Sequence, residues 1–307
     1  MINSLQSIRF IFALMIFHHH FFMTPQVVQF GSFPVSFFFI LSGFVMTIGY
    51  GDKVLLESFS YKQYILKRLI RIFPLNAICL MLSLLIPVAA DIFSSHLTTS
   101  NYSLFLPDLL MIQAWFPYES IYFSGNAVAW FLSDMLFFYL LFPFLIKILR
   151  RKLGYALMIF IIICYFVLVS DIDGGKIHYY IYICPLLRIV DFIMGIVLCQ
   201  LLKNIKVLDK NQLLGTIFEL FALSVCFWAV WAFPNVPIEY GYSSFFWIPS
   251  VLLITAFYLS SKWGGADFFV LISTDICLSW GIKFPLLYVT QNPYKLVSYN
   301  RTKIAFK

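Results

Sequence analysis

Apolar residues run along this chain in blocks longer than a soluble core requires. A helix that spans a bilayer needs about 20 mostly apolar residues. Nine blocks approach or reach that length, near 5–22, 35–50, 73–92, 127–146, 153–170, 179–202, 213–231, 244–261 and 268–290. A tenth, near 104–116, is shorter and holds Pro107 and Asp108, which reads as an interfacial or re-entrant segment. The first block is not a cleaved signal peptide, because it carries Arg9 and three histidines and has no small-residue cleavage site. No fixed-period repeat, low-complexity linker or soluble stretch interrupts the pattern. It predicts an all-α polytopic membrane bundle of about nine to ten helices, one domain over 1–290 and a short basic tail over 291–307.

The polar positions between the blocks set an orientation. With the N-terminus in the cytoplasm, the inner loops hold Lys53, Lys62, Lys67, Arg68, Arg71, Lys147, Arg150, Arg151, Lys152, Lys203, Lys206, Lys210 and Lys262. The outer loops near 23–34, 93–126, 171–178 and 232–243 hold only Lys176. That asymmetry is the positive-inside pattern. The tail breaks it: nine crossings put Lys295, Arg301, Lys303 and Lys307 outside, so either the last apolar block re-enters or a final helix is missing.

Composition excludes the soluble classes. Of 307 residues, 62% are hydrophobic and 11% charged, against roughly 25% charged in a soluble domain. The 6 cysteines lie inside apolar blocks without CxxC or metal-ligand spacing, so they read as small hydrophobes and no metal site is expected. No P-loop, GxGxxG, HExxH or GxSxG occurs, and nothing has a nucleic-acid-binding pattern.

Ionisable groups inside membrane helices each cost at least about 2.5–3.5 kcal/mol and need an explanation. Arg9 and His20 are eleven residues apart, about three helical turns plus 20°, so they share one stripe about 16 Å apart along the axis. His19 and His18 fall off that stripe. The alternative is that the histidines only snorkel at the outer interface. Lys67, Arg68 and Arg71 stand at the cytoplasmic entry to the third block, where they suit either the phosphates of a nucleotide-bearing cofactor or lipid headgroups. Trp130, Ser133 and Asp134 put an indole, a hydroxyl and an acid on one face of the fourth block; the acid serves chemistry or caps the helix. Arg188 and Asp191 form an i,i+3 pair whose simplest role is mutual neutralisation. Asp275 and Lys283 are unexplained by spacing.

Taken together, these stretches resemble the membrane-bound acyltransferase 3 family. LQSIRFIFALMIFHHH resembles its first helix and lands on Arg9 and His20; VSFFFILSGFVM resembles its second, with Ser42, Gly43 and Phe44. KRLIRIFPLN resembles the basic third-helix entry, with Arg68, Arg71 and Pro74. LLMIQAWFP and AWFLSDMLFFYLLFP cover Gln113, Trp115, Trp130, Ser133, Phe138, Tyr139 and Pro143, and PLLRIVDFIMG covers Arg188, Asp191 and Gly195. Two positions depart: Met135 stands where many members carry Glu, and Lys283 where a His would fall; the family pattern then adds a last helix, which implies ten crossings where nine are counted.

The resemblance implies transfer of an acyl group, most often acetyl from acetyl-CoA, to a hydroxyl of a surface or lipid-linked glycan at the bacterial inner membrane. It assigns Arg68 and Arg71 to the CoA phosphates, His20 to general base, Arg9 to the thioester or oxyanion, and Asp134 or Ser133 to orienting the acceptor. The implied partners are acyl-CoA, a glycan such as O-antigen, capsule or exopolysaccharide, and membrane lipid. A glycan or lipid transporter and an inactive truncated acyltransferase are the competing readings.

Overall fold

The computed structural model describes residues 3–22, 31–94, 105–150, 152–205 and 212–263. Among them every regular element is helical: α1 (Asn3–Phe22), α2 (Ser32–Tyr50), α3 (Tyr61–Ser94), the short α4 (Phe105–Leu109) and α5 (Glu119–Tyr122), α6 (Trp130–Leu149), α7 (Lys152–Ser170), α8 (Pro185–Lys203), α9 (Gln212–Ala232), α10 (Ile238–Gly241) and α11 (Trp247–Trp263). In lipid a backbone N–H or C=O has no water to bond, so a helix that satisfies its own groups is the expected result of such blocks.

Among the described residues five helices are long and apolar enough to cross a membrane, and a sixth span appears if the bent pair Gly154–Ser170 and Gly174–Ile183, angled at 118°, counts as one. The block near 268–290, the tail, Asp275 and Lys283 lie outside the described residues. Two boundaries differ from the sequence pattern. α3 starts at Tyr61 rather than 73 and runs 34 residues, about 51 Å, because Lys, Arg, Gln and Leu are good helix formers even where they are too polar for lipid. The block near 179–202 divides at Cys184: a π-helical turn, His178–Ile183, comes first, and α8 then starts with Pro185 at the position where a missing N–H is harmless.

α2 is the central helix. Its two faces join two apolar clusters, one with α1, α8, α9 and α11, the other with α3, α6 and α8. Its closest neighbour is α8, and glycines make the approach possible. A Cβ on Gly43 would sit 2.0 Å from the Phe192 carbonyl oxygen, and one on Gly195 would sit 1.9 Å from the Ile40 oxygen. Small residues that let backbones meet are the usual device of helix packing in lipid. Outer faces are apolar: Phe227 and Trp231 of α9 are each 75% exposed, as lipid-facing residues should be.

The basic loops collect at one end. Asp52, just beyond α2, takes a hydrogen bond from Lys203 (3.0 Å) and an ion pair from Arg150 (3.5 Å), tying the ends of α2, α6 and α8. Lys262, at the end of α11, reaches the Leu202 carbonyl at 3.4 Å.

Candidate active site

The basic residues of α1 and α3 meet at α6. Arg68 is buried, and its guanidinium lies 4.4 Å from the ring centre of Tyr50 and 5.7 Å from those of Tyr64 and Tyr139. Each stack favours a desolvated cation. The aromatic wall is itself held: Tyr64 donates to the Tyr139 carbonyl at 3.1 Å and Tyr61 to the Leu140 carbonyl at 3.0 Å. Arg71, one turn further along α3, is exposed. Arg9, Arg68 and Arg71 all act electrostatically on Tyr139, and Arg9 and Arg71 repel one another. The structure therefore places three arginines, which sequence spacing left on two separate helices, within electrostatic range of one tyrosine. Like charges gathered at a membrane-buried tyrosine form a ready-made site for a polyanion, with Arg68 stacked and fixed and Arg71 open to an approaching ligand.

His20 sits at the other end of α1. It is half-buried, its ring edge-on to His19 with centres 4.9 Å apart. His18 is exposed, and His19 packs on Gly31, where an added Cβ would fall 3.0 Å from its ring. The described geometry does not bring His20 to the arginine cluster, so a ligand that touches both must span the rise between them.

Ser133 and Asp134 face inward from α6. Both are buried, and among the described residues the Ser133 hydroxyl and both Asp134 carboxyl oxygens have no hydrogen-bond partner. Asp134 interacts electrostatically with Arg188 and Asp191. Met135 is packed in an apolar cluster, so at this level the interior acid is Asp134. The neighbouring Arg188–Asp191 pair is instead fully bonded. Arg188 donates to the Tyr182 carbonyl (3.0 Å), the Ser36 hydroxyl (3.0 Å), Asp191 (2.8 Å) and the Tyr242 carbonyl (2.8 Å). Asp191 also accepts from Ser243 at 2.9 Å and from the Trp247 indole. This pair ties α8 to α2 and α11, which agrees with the neutralising role that its spacing suggests.

Two groups escaped sequence reasoning. Asp108 is fully buried in α4; its carboxyl accepts from the Asn126 backbone N–H (2.9 Å) and the Gln113 amide (3.2 Å), and its carbonyl accepts from Asn76 (3.0 Å). Gly125 (φ +56°) closes over it, and a Cβ there would fall 2.6 Å from the Asp108 carboxyl. The other group is a set of aromatic rings around His178. Its only sequence signal is the aromatic density of residues 178–182.

The acyltransferase domain model matches residues 2–280. Acyltransferase MdmB of Streptomyces mycarofaciens is 29% identical over an alignment of 232 positions that covers 66% of this chain and 57% of that protein. The chain thus aligns with somewhat over half the length of that relative, and no solved structure matches. With a family model over nearly the whole length, the chain belongs to the membrane-bound acyltransferase 3 family.

Proposed function

We propose that this protein transfers an acyl group, acetyl in the first instance, from acyl-CoA to a hydroxyl of a surface or lipid-linked glycan at the bacterial inner membrane, with its N-terminus in the cytoplasm. The observation that carries this reading is the convergence of Arg9, Arg68 and Arg71 on Tyr139. Three guanidinium groups within electrostatic range of one tyrosine favour an anionic ligand, and the phosphates of CoA have the required charge.

In this reading Arg68 and Arg71 hold the donor's phosphates from the basic end of the bundle. The pantetheine arm then runs along the α1 stripe towards His20 and covers the rise of about 16 Å. Neutral His20 takes the proton from the acceptor hydroxyl as its oxygen attacks the thioester carbonyl. The C–O bond forms, the C–S bond breaks, and the departing CoA sulfur receives the proton from His20. Arg9 supports the developing negative charge or orients the thioester. Ser133 and Asp134, buried without partners, supply bonds to an acceptor hydroxyl.

The test compares cells that express the unmodified chain with cells that express His20→Ala at equal membrane abundance, by alkali-labile acetyl on purified surface polysaccharide. Acetyl only with the unmodified chain is expected. Acetyl in both removes His20 from the mechanism, and acetyl in neither, with the polysaccharide present, overturns transfer to that glycan. A transporter built on paired broken helices finds one broken pair among the described residues and no counterpart to it.

A further inference from the structure

At the end of the bundle opposite the basic loops, His178 lies inside a ring of aromatic side chains. The ring centres of Tyr122, Phe123, Tyr182 and Tyr242 stand 6.0, 5.9, 5.4 and 5.5 Å from the imidazole centre. The Tyr122 hydroxyl is 3.3 Å from His178 Nδ1, which leaves Nε2 as the second polar atom of the ring. These residues come from three connections: α5 and the turn after it, the π-helical turn before α8, and the turn after α10.

Several features set this cluster apart from ordinary packing. His178, Tyr182 and Tyr242 are half-buried: the two tyrosines pack against the apolar clusters, and all three keep some surface at this end of the bundle. The chain reaches His178 through a bend of 118° and a π-helical turn, an irregular backbone of the kind often found at functional sites. The support beneath is rigid, because Tyr182 and Tyr242 both give their carbonyls to the buried Arg188. Glu119 acts electrostatically on His178, adding an anionic acceptor at the rim. One layer inward, Asp134 interacts electrostatically with Tyr179, the residue after His178, so the unpartnered acid belongs to the same end of the molecule.

Flat aromatic faces beside a histidine, phenol hydroxyls and a carboxylate are the chemistry that recognises a pyranose ring: the faces cover its C–H surface and the polar atoms take its hydroxyls. We infer that the His178 cluster binds a sugar unit of the acceptor glycan. The inference rests on the acyltransfer reading for the word acceptor, but binding of the sugar stands without it. His178 holds the sugar; it is not placed at the reacting atoms.

The test uses the full chain in lipid nanodiscs on an array of immobilised hexose, 6-deoxyhexose and N-acetylhexosamine oligosaccharides, beside its binding of acetyl-CoA in solution. The unmodified chain is expected to bind a subset of the sugars. His178→Ala should weaken that binding about tenfold, the scale of one hydrogen bond in a half-buried site, with acetyl-CoA binding unchanged. Tyr122→Phe removes one oxygen and should weaken it by a smaller factor, about threefold. If His178→Ala also loses acetyl-CoA binding, Tyr122→Phe decides. Sugar binding unchanged in both variants, or no sugar bound by an unmodified chain that binds acetyl-CoA, overturns the inference. Sugars bound through His178 by a chain that transfers no acetyl group would overturn the proposed reaction and leave this site standing.

Discussion

Asp191 and Asp134 lie two helices apart at full burial, and the protein treats them in opposite ways. Asp191 has an arginine, a serine and a tryptophan bonded to its carboxyl. Among the described residues Asp134 has none of these, and the hydroxyl beside it has no partner either. A buried polar group without partners costs free energy that a structural role would not require. The difference separates a carboxylate that holds the bundle together from one kept available for something that is not part of the chain.

That contrast is sharpest where a partner is removed. Asp191→Ala leaves the Arg188 guanidinium buried without its anion, and breaking such a pair costs about 3–5 kcal/mol. The variant is expected to accumulate poorly in the membrane and to unfold at much lower temperature in detergent. Unfolding at the temperature of the unmodified chain would show that the network is not what joins α2, α8 and α11.

Asp108 lies between these cases, because its carboxyl is bonded by amides but no cation faces it among the described residues. It lies outside the spanning helices, and burial pushes it up to about 6. A carboxyl raised above its unfolded value contributes stability while protonated, and that contribution fades as pH rises through the folded value. Between about pH 4 and 6 the unmodified protein should therefore lose on the order of 2 kcal/mol as pH rises. Asp108→Asn should flatten that slope in thermal unfolding across the same window. An unchanged slope would assign it to another group.

Legibility divides along the same line. Long apolar blocks specify helices because lipid leaves no alternative, so α2, α6, α9 and α11 could be read directly. The helix that carries Arg9 and His20 follows from local periodicity in the same way. Helix approach is not local: nothing near Gly43 says that Gly195 will face it. The electrostatic reach of Arg9 to Arg71, and the meeting of Asp108 with Asn76 and Asn126, depend on chain packing across tens of residues. The His178 cluster was missed for a related reason, since its rings come from three connections and the aromatic residues of each one alone read as interface anchors.

At the basic end the same comparison weakens to a surface effect. The Lys203 hydrogen bond and its charge lower the Asp52 carboxyl below its usual range, but the side chain is 73% exposed. A depressed carboxyl stabilises the fold above its unfolded value and loses that contribution as pH falls through the folded one. Exposed pairs are worth about 0–1 kcal/mol. Asp52→Asn should lower thermal stability slightly at neutral pH and not at all at strongly acidic pH. A loss as large as that of Asp191→Ala would mean that the loop cluster is a structural clasp.

Asp134→Asn should change stability least. The amide has the same shape as the carboxyl and removes a group that the fold leaves without a partner, so the folded protein loses no hydrogen bond. Thermal unfolding in detergent is expected within about 0.5 kcal/mol of the unmodified chain. Acetyl transfer to the polysaccharide should nevertheless fall, because the amide puts an NH2 in place of one of the two carboxyl oxygens open to an acceptor hydroxyl. Unchanged stability with reduced transfer is the combination that a ligand-directed acid produces and a structural one does not. A stability loss matching Asp191→Ala would place Asp134 in the buried network, while full transfer by a stable variant would return the acceptor-orienting role to Ser133.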